Sequence, residues 1–504
     1  MSTAAGSTAP TVVVGGGAAG CVVARRLAER GEPVLLLEAG CDDPAVARAL
    51  AGPGRIPAGA DWGVTATVDG RDAPLRLPRI RALGGTSLIQ GGIALRGLPG
   101  DYDAWGALAG PSWSHRGLLP YLRRLEADQD YPDDRGHGTD GPLPISRPGP
   151  AARQPLHTAF LDGCAELGLP SCEDHNGGGA GGAGPVPLAG DRRGKATARD
   201  RYLEPVLEHP GLTVRTGVEA VALEFAGDRA VGVLVRAADG GAPRRIPAGR
   251  VVLAAGAVGT PALLQRSGIG DPAALRAAGL PVRAALPGVG TLLRDHPAVH
   301  LPFGLDSGHG TEGRPWFQVL LRLAAGQVDG LADTALEVYH DFRLGLPLAH
   351  RRALLVASLL SSEGTGVVEP GAFPGPPRVR FHYTGRDLAD LTAAAALGLR
   401  WLGTGAARTA LRPRRVHAPG GSAGVLHALT TAHHLHGGAP MGDDPDTGGV
   451  VDRQARVHGL RDLWVADVSI CPVPVRANTH LLALAVAERV SDLLTAATDP
   501  APGG

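Results

Sequence analysis

The chain has 504 residues, of which 44% are apolar and 19% charged, so a disulfide-stapled miniprotein and a largely disordered chain are both excluded. Lys+Arg and Asp+Glu each total 49, which removes any global electrostatic case for a nucleic-acid or anionic-membrane partner. The five cysteines are odd in number and lack CxxC spacing, no apolar run approaches the ~20 residues of a membrane span, and the start MSTAAGSTAP has no signal-peptide pattern. The expectation is a soluble cytoplasmic protein.

A β-branched run, Thr11–Val14, enters GGGAAG, passes into the helical stretch CVVARRLAER and meets a second apolar run, Val34–Leu37. That order predicts a βαβ unit and an α/β fold. Gly15, Gly17 and Gly20 form GxGxxG at the strand-to-helix turn, and Glu38 closes the next strand. Gly15 permits the tight turn, Gly17 lets the backbone approach a pyrophosphate at the helix N-terminus, and Gly20 allows close packing, with Glu38 placed to accept ribose hydroxyls. The motif predicts a dinucleotide but does not separate NAD from FAD. Further strand-like runs fall at 212–215, 251–254 and 463–466. The expected organisation is a discontinuous nucleotide-binding domain, 10–105, 194–300 and 429–498, interleaved with a substrate domain, 106–193 and 301–428. A glycine-rich stretch at 177–184 is expected to be a mobile loop, and the final APGG a frayed tail.

The run RALGGTSLIQGGIALRG (Arg81 to Gly97) resembles the first signature of the glucose–methanol–choline (GMC) flavin oxidoreductases, and GAVGTPALLQRSGIG (Gly256 to Gly270) resembles the second. LPGVGTLLRDHP (Leu286 to Pro297) and GGVVDRQARVHGLRDLWVADVSICP (Gly448 to Pro472) are similar to its remaining blocks. The resemblance implies a Rossmann-like FAD-binding domain with an α+β substrate domain, and FAD in extended form. Gly85 and Gly91 would bring main-chain amides against the cofactor, with Thr86 and Gln90 adding side-chain hydrogen bonds. No histidine stands near this run to tether the flavin, so non-covalent FAD is expected. Val218 falls where the family's backbone meets adenine, and Asp467 and Val468 match its contact to the ribityl and phosphate region.

In AHHLHGGAPMG (Ala432 to Gly442), alignment on Met441 puts His434 at the family's catalytic histidine, and not His433 or His436. A histidine titrating near neutrality suits removal of an alcohol proton, because an alkoxide releases hydride far more readily than the alcohol. A metal reading of the three histidines is disfavoured, since adjacent and i,i+2 positions rarely converge and no acidic or thiol partner is nearby. Asn478 and Thr479 precede an apolar-periodic run, which reads as a helix N-terminus. In register with the family, Asn478 is the second member of the catalytic pair, and His480 lies beside the N1–O2 side of the flavin.

The stretches RGLPGDYD and DGPLPI resemble the bacterial subgroup associated with the peptide-derived redox cofactor mycofactocin. That implies a phenol-type or alcohol-type donor such as the reduced cofactor, with electrons passed to a quinone or other respiratory component rather than chiefly to oxygen. Oxidation of choline, an aliphatic or an aryl alcohol by oxygen is the alternative, and a flavin-dependent hydroxynitrile-lyase-like activity a further one. With aromatics at only 4%, a cage for a quaternary ammonium is poorly supported; Trp62, Trp316 and Trp401 read equally as cavity walls or core anchors.

Overall fold

The computed structural model describes residues 9–496 apart from 52–55, 133–135, 180, 192–193, 238–239, 306–316, 341–351, 372, 414–415 and 417, so Trp316 and the terminal APGG lie outside the described residues. Five parallel strands, β1 (Thr11–Val14), β2 (Val34–Leu37), β3 (Leu212–Arg215), β4 (Arg250–Leu253) and β5 (Leu463–Val465), form a sheet in the order β3-β2-β1-β4-β5. β1, β2, β4 and β5 are buried at every position, as runs that are apolar or β-branched except for the hydrogen-bonded Arg250 at the start of β4 require of a sheet covered on both faces. Pairing aligns Thr11 with both Val34 and Arg250, which brings the C-terminal ends of β1, β2 and β4 level with one another. Ligands of open α/β sheets bind beyond such ends.

Helix α1 (Ala18–Glu29) leaves β1 through the glycine turn and packs against the long C-terminal helix α3 (Thr479–Ala496). Arg26 on α1 forms a bidentate pair with the fully buried Glu488 on α3, at 2.7 and 2.9 Å. Between them in sequence, α2 (Gly256–Arg266) follows β4. The C-terminal segment is thereby held against the first βαβ unit.

The second layer is an antiparallel six-stranded sheet in the order Leu429–Thr431, Pro297–Gly304, Arg352–Leu359, Thr334–His340, Val319–Leu323 and Gly182–Pro185. Helix Gly385–Leu402 packs across three of these strands, anchored by Trp401, which is fully buried and donates to the Phe160 carbonyl. Trp401 is a core residue. Two of the expected domain limits are crossed: Pro297–Gly304 runs past residue 300, and Leu429–Thr431 joins this sheet rather than the parallel one. A third sheet pairs Thr65–Val68 with Arg378–Phe381, stitching the two units together. The 177–184 stretch is not simply a loop, because Gly182–Pro185 is an edge strand. Three of its glycines, Gly181, Gly182 and Gly184, answer to packing: a Cβ on Gly184 would lie 1.7 Å from the Cys172 carbonyl oxygen.

Glu126, Asp128 and His137 are buried close enough together to suggest a metal site, yet arginines already occupy their surroundings. Arg96 pairs with Glu126, and Arg147 contacts Asp128 at 2.9 Å and Asp174 at 2.8 Å. Burial alone would push the His137 imidazole down, but hydrogen bonds to Asp128, Asp174 and Glu126 outweigh it and lift the group to about 11. His137 is therefore a cation here, and the cluster is an ion-pair network joining Arg96, near the end of the first signature run, to the insert. Removing Arg96 would leave part of a buried carboxylate charge uncompensated; Arg96→Leu is expected to lower unfolding free energy by roughly 3 kcal/mol, measured by urea titration.

Candidate active site

The C-terminal ends of the parallel strands open into a cavity of about 480 Å³ that runs on to the antiparallel sheet. Gly15, Gly17, Glu38, Gly85, Thr86, Gln90, Gly91, Val218, Asp467, Val468, His434, Asn478 and His480 all line it. Gly20 does not. A Cβ there would lie 1.8 Å from the Gly15 carbonyl oxygen, so Gly20 serves the packing of α1 under the turn and is not a wall of the cavity.

The nucleotide end is shaped by close backbone approach. Gly15 has φ +105°, and a Cβ on it would sit 2.6 Å from the Ala254 carbonyl oxygen, which restricts the position to glycine. A Cβ on Gly17 would meet no protein atom within 4 Å, so protein packing does not account for a glycine there. Gly17 caps α1 without a side-chain hydrogen bond, leaving the first amides of the helix for an anion. Glu38 accepts from the Gly16 amide at 2.9 Å and the Gly40 amide at 2.7 Å. Burial raises its carboxyl to about 7 against the pull of those amides and Arg81. The Val218 amide already donates to the Glu38 carbonyl, so it is not free for adenine.

Asp467 also has protein partners: it accepts from the Gly256 amide, the Thr260 hydroxyl and the Ser469 amide at 2.8, 2.6 and 2.8 Å, tying the start of α2 to the turn after β5. The Gln90 side chain makes only a long contact to the Ala196 carbonyl, at 3.4 Å, while its main-chain carbonyl accepts from Lys195 Nζ at 2.7 Å. His480, in the first turn of α3, has a buried Nε2 with no partner among the described residues, and burial, then the nearby Lys195, hold the ring down to about 4. An unpartnered nitrogen in a cavity wall, an uncapped helix start and a glycine with no packing reason fit a polar ring attached to a pyrophosphate.

At the other end, His434 stands between two partners. Its Nε2 lies 2.9 Å from Asn478 Nδ2, and its Nδ1 lies 2.9 Å from Nδ1 of His296. The backbone of this segment is held by Asp295, which accepts from the His434 amide at 2.9 Å and from the Thr431 hydroxyl. Burial first, then His296, His433, His436 and Arg79, hold the His434 imidazole well below the usual histidine range, not near neutrality as expected from sequence. His433, at φ +65°, faces the cavity, and its carbonyl accepts from Arg79 at 3.2 Å. His436 is buried, with Nδ1 3.0 Å from the His434 carbonyl oxygen. Glu337 and Tyr339, hydrogen-bonded to one another, and Trp62 complete this end. Sequence reasoning assigned no role to Asp295, His296, Arg79, Glu337 or Tyr339. The available signal was the Asp-His pair directly before the apolar run of a strand.

A nucleotide cradle at strand ends with an imidazole–amide pair at the far end of the same cavity defines a flavin oxidoreductase of the two-sheet type. The family description GMC oxidoreductase matches residues 9–298 and, for its C-terminal part, 370–487. The chain belongs to the GMC oxidoreductase family. It is 33% identical to an uncharacterized GMC-type oxidoreductase from the thcA 5′ region of Rhodococcus erythropolis, over 96% of this chain and 97% of that one. With the oxygen-dependent choline dehydrogenase of Photobacterium profundum it shares 30% identity over 97% and 94% of the two chains. Among solved structures, pyridoxine 4-oxidase from "Mesorbium loti" superposes with a TM-score of 0.85 and 28% identity, covering 97% of this chain and 99% of that one. The protein is thus an FAD-dependent oxidoreductase acting on CH–OH donors. Among the described residues, no helix is long and apolar enough to cross a membrane.

The lowered His434 value has a kinetic sign. A base must be unprotonated to act, so a rate that depends on it is lost only as pH falls through that depressed value, and the active form is complete across the neutral range. Flavin-reduction rate against pH is expected to be flat from pH 9 to 6 and to decline below. An ascending limb centred at pH 7 would contradict it.

Proposed function

We propose that the protein oxidises an alcohol-type donor, reduced mycofactocin being the favoured one, and passes the electrons to a respiratory acceptor such as a quinone, in the cytoplasm. The stretches RGLPGDYD and DGPLPI support the donor assignment. The reading of the site rests on one observation: His434 Nε2 faces Asn478 Nδ2 at 2.9 Å in a cavity that also contains the nucleotide cradle.

Bound FAD would supply the two-electron acceptor for the hydride of the carbinol carbon. The residues assigned to hold it without a covalent bond are Gly15, Gly17, Glu38, Gly85, Thr86, Gln90, Gly91, Val218, Asp467, Val468 and His480, with Gly20 supporting the turn from below. Gly17 and the open end of α1 would face the pyrophosphate. His480 Nε2 would meet a polar edge of the ring. His434 Nε2 takes the hydroxyl proton of the donor. Asn478, whose amide cannot accept that proton, keeps an N–H directed at the oxygen and stabilises the charge that develops there. Because burial disfavours the imidazolium, the proton moves to His434 only as negative charge forms on the neighbouring oxygen.

A second reading is favoured by Glu337, a buried carboxylate in the cavity wall beside Tyr339 and within the same cavity as Trp62. An acidic side chain hydrogen-bonded to a tyrosine, in a cavity that Trp62 also lines, would suit a small cationic alcohol, as the name of the choline dehydrogenase relative suggests, with oxygen as acceptor.

Purified protein is expected to be yellow, and acid precipitation to release all of the flavin into the supernatant. Anaerobic mixing with reduced mycofactocin, benzyl alcohol or choline should bleach the 450 nm band for the true donor class. A flavin that stays oxidised with every alcohol would sink the reading. His434→Ala should slow reduction by ~10²–10⁴-fold while retaining flavin. Asn478→Ala should slow it on the order of 10²-fold, with substrate affinity changed less.

A further inference from the structure

Arg294 and His436 exchange backbone hydrogen bonds, at 2.8 and 3.1 Å, and Pro297 pairs with Thr431. This antiparallel contact sets His296 opposite the segment that carries His434. The two rings meet edge to face, with centroids 5.0 Å apart. His296 Nδ1 is 2.9 Å from His434 Nδ1, and His296 Nε2 is 2.9 Å from the carbonyl oxygen of Val475.

We propose that His296 is a positioning residue that, anchored by the Val475 carbonyl, forces His434 into the Nδ1–H tautomer and so keeps His434 Nε2 bare of a proton and able to accept one. The inference deepens, and rests on, the reading of His434 as base. Its logic is a chain of donors and acceptors. A backbone carbonyl can only accept, so His296 must carry its proton on Nε2. A neutral His296 then has a bare Nδ1, and the short contact between the two Nδ1 atoms requires a proton from His434. That places the His434 proton on Nδ1 and leaves Nε2 to accept from Asn478.

The reverse assignment fails at its far end. If Asn478 were turned to accept from a His434 Nε2–H, the His434 Nδ1 would be bare and His296 would have to donate from its own Nδ1. Its Nε2 lone pair would then point at the Val475 oxygen at 2.9 Å, opposing two acceptors in a buried site. A doubly protonated His296 would satisfy every contact, but the ring is buried and burial, then His436, hold it down to about 3. Histidine in water favours the Nε2–H tautomer, which would block the lone pair a base needs. His296 therefore has work that a packing residue of the same size would not do. When His434 becomes an imidazolium, its Nδ1–H remains directed at a neutral acceptor, which is the part a carboxylate plays in other histidine relays.

The experiment is a long-range ¹H–¹⁵N correlation spectrum of the FAD-loaded protein labelled with ¹⁵N-histidine at neutral pH. His434 and His296 are assigned by the signals missing from His434→Gln and His296→Asn. The expected spectrum has His434 protonated on Nδ1 and bare on Nε2, and His296 protonated on Nε2. His434 protonated on Nε2 would overturn the proposal whatever the activity. In parallel, His296→Leu should move His434 to the Nε2–H form and lower kcat on the order of 10²-fold, with KM changed less than threefold. His296→Asn, whose Oδ1 can stand near the place of Nδ1, should restore the Nδ1–H signal and most of kcat. An unchanged tautomer and rate in His296→Leu, or a His296→Asn variant as slow as His296→Leu, would refute the role. If His296→Leu does not fold, the wild-type spectrum and His296→Asn decide. The reading of His434 as base fails separately, if His434→Ala reduces flavin at the wild-type rate.

Discussion

The backbone exchange between Arg294 and His436 is the contact on which the reactive end of the molecule depends. It joins the block before a strand of the antiparallel sheet to the segment that follows another strand of that sheet. From it follow the Asp295 clamp on the His434 amide, the contact between the two imidazoles and the burial of His436. A shift of one residue in this pairing would turn His296 away from His434, because side chains alternate across a strand. The site is thus set by strand register as much as by its own residues.

Burial has opposite consequences for the groups around the cavity. It raises the carboxyls of Glu38 and Asp295, to about 7 and about 6, and lowers the imidazoles of His296, His436 and His480, to about 3, 4 and 4. Both trends reduce the charge at the cavity, so that a charge created during turnover has few fixed competitors close by. The ion-pair network around His137, by contrast, is charged and well paired, and it lies where the insert meets the first signature run. Burial thus works against charge around the cavity, while paired charges hold the insert to the rest.

Much of the cofactor end was legible because its cause is local. The turn at Gly15, the helix behind it and the acid closing β2 are neighbours in sequence, and their geometry follows from φ/ψ limits and helix termini. Roles read into such residues were less complete. Glu38, Val218 and Asp467 each have hydrogen bonds to protein that the motif does not reveal, and Gly20 acts below the cavity rather than on it. The 177–184 stretch was legible only in part, because glycine marks both loops and close packing: 177–179 are irregular, but the Cys172 carbonyl, which forbids a Cβ on Gly184 in the edge strand, can only be seen in the fold.

Sequence alone determined the α/β class, the nucleotide turn and the identity of His434 and Asn478 as residues worth examining, since each of these rests on short-range spacing or on a motif long enough to be read as a block. Only the tertiary structure decided that His434 and Asn478 touch, that His296 stands behind them, and that burial holds the His434 imidazole below its usual range. Those properties depend on hydrogen bonds between segments far apart in the chain and on exclusion of water by both sheets together, and neither is encoded in any window of neighbouring residues.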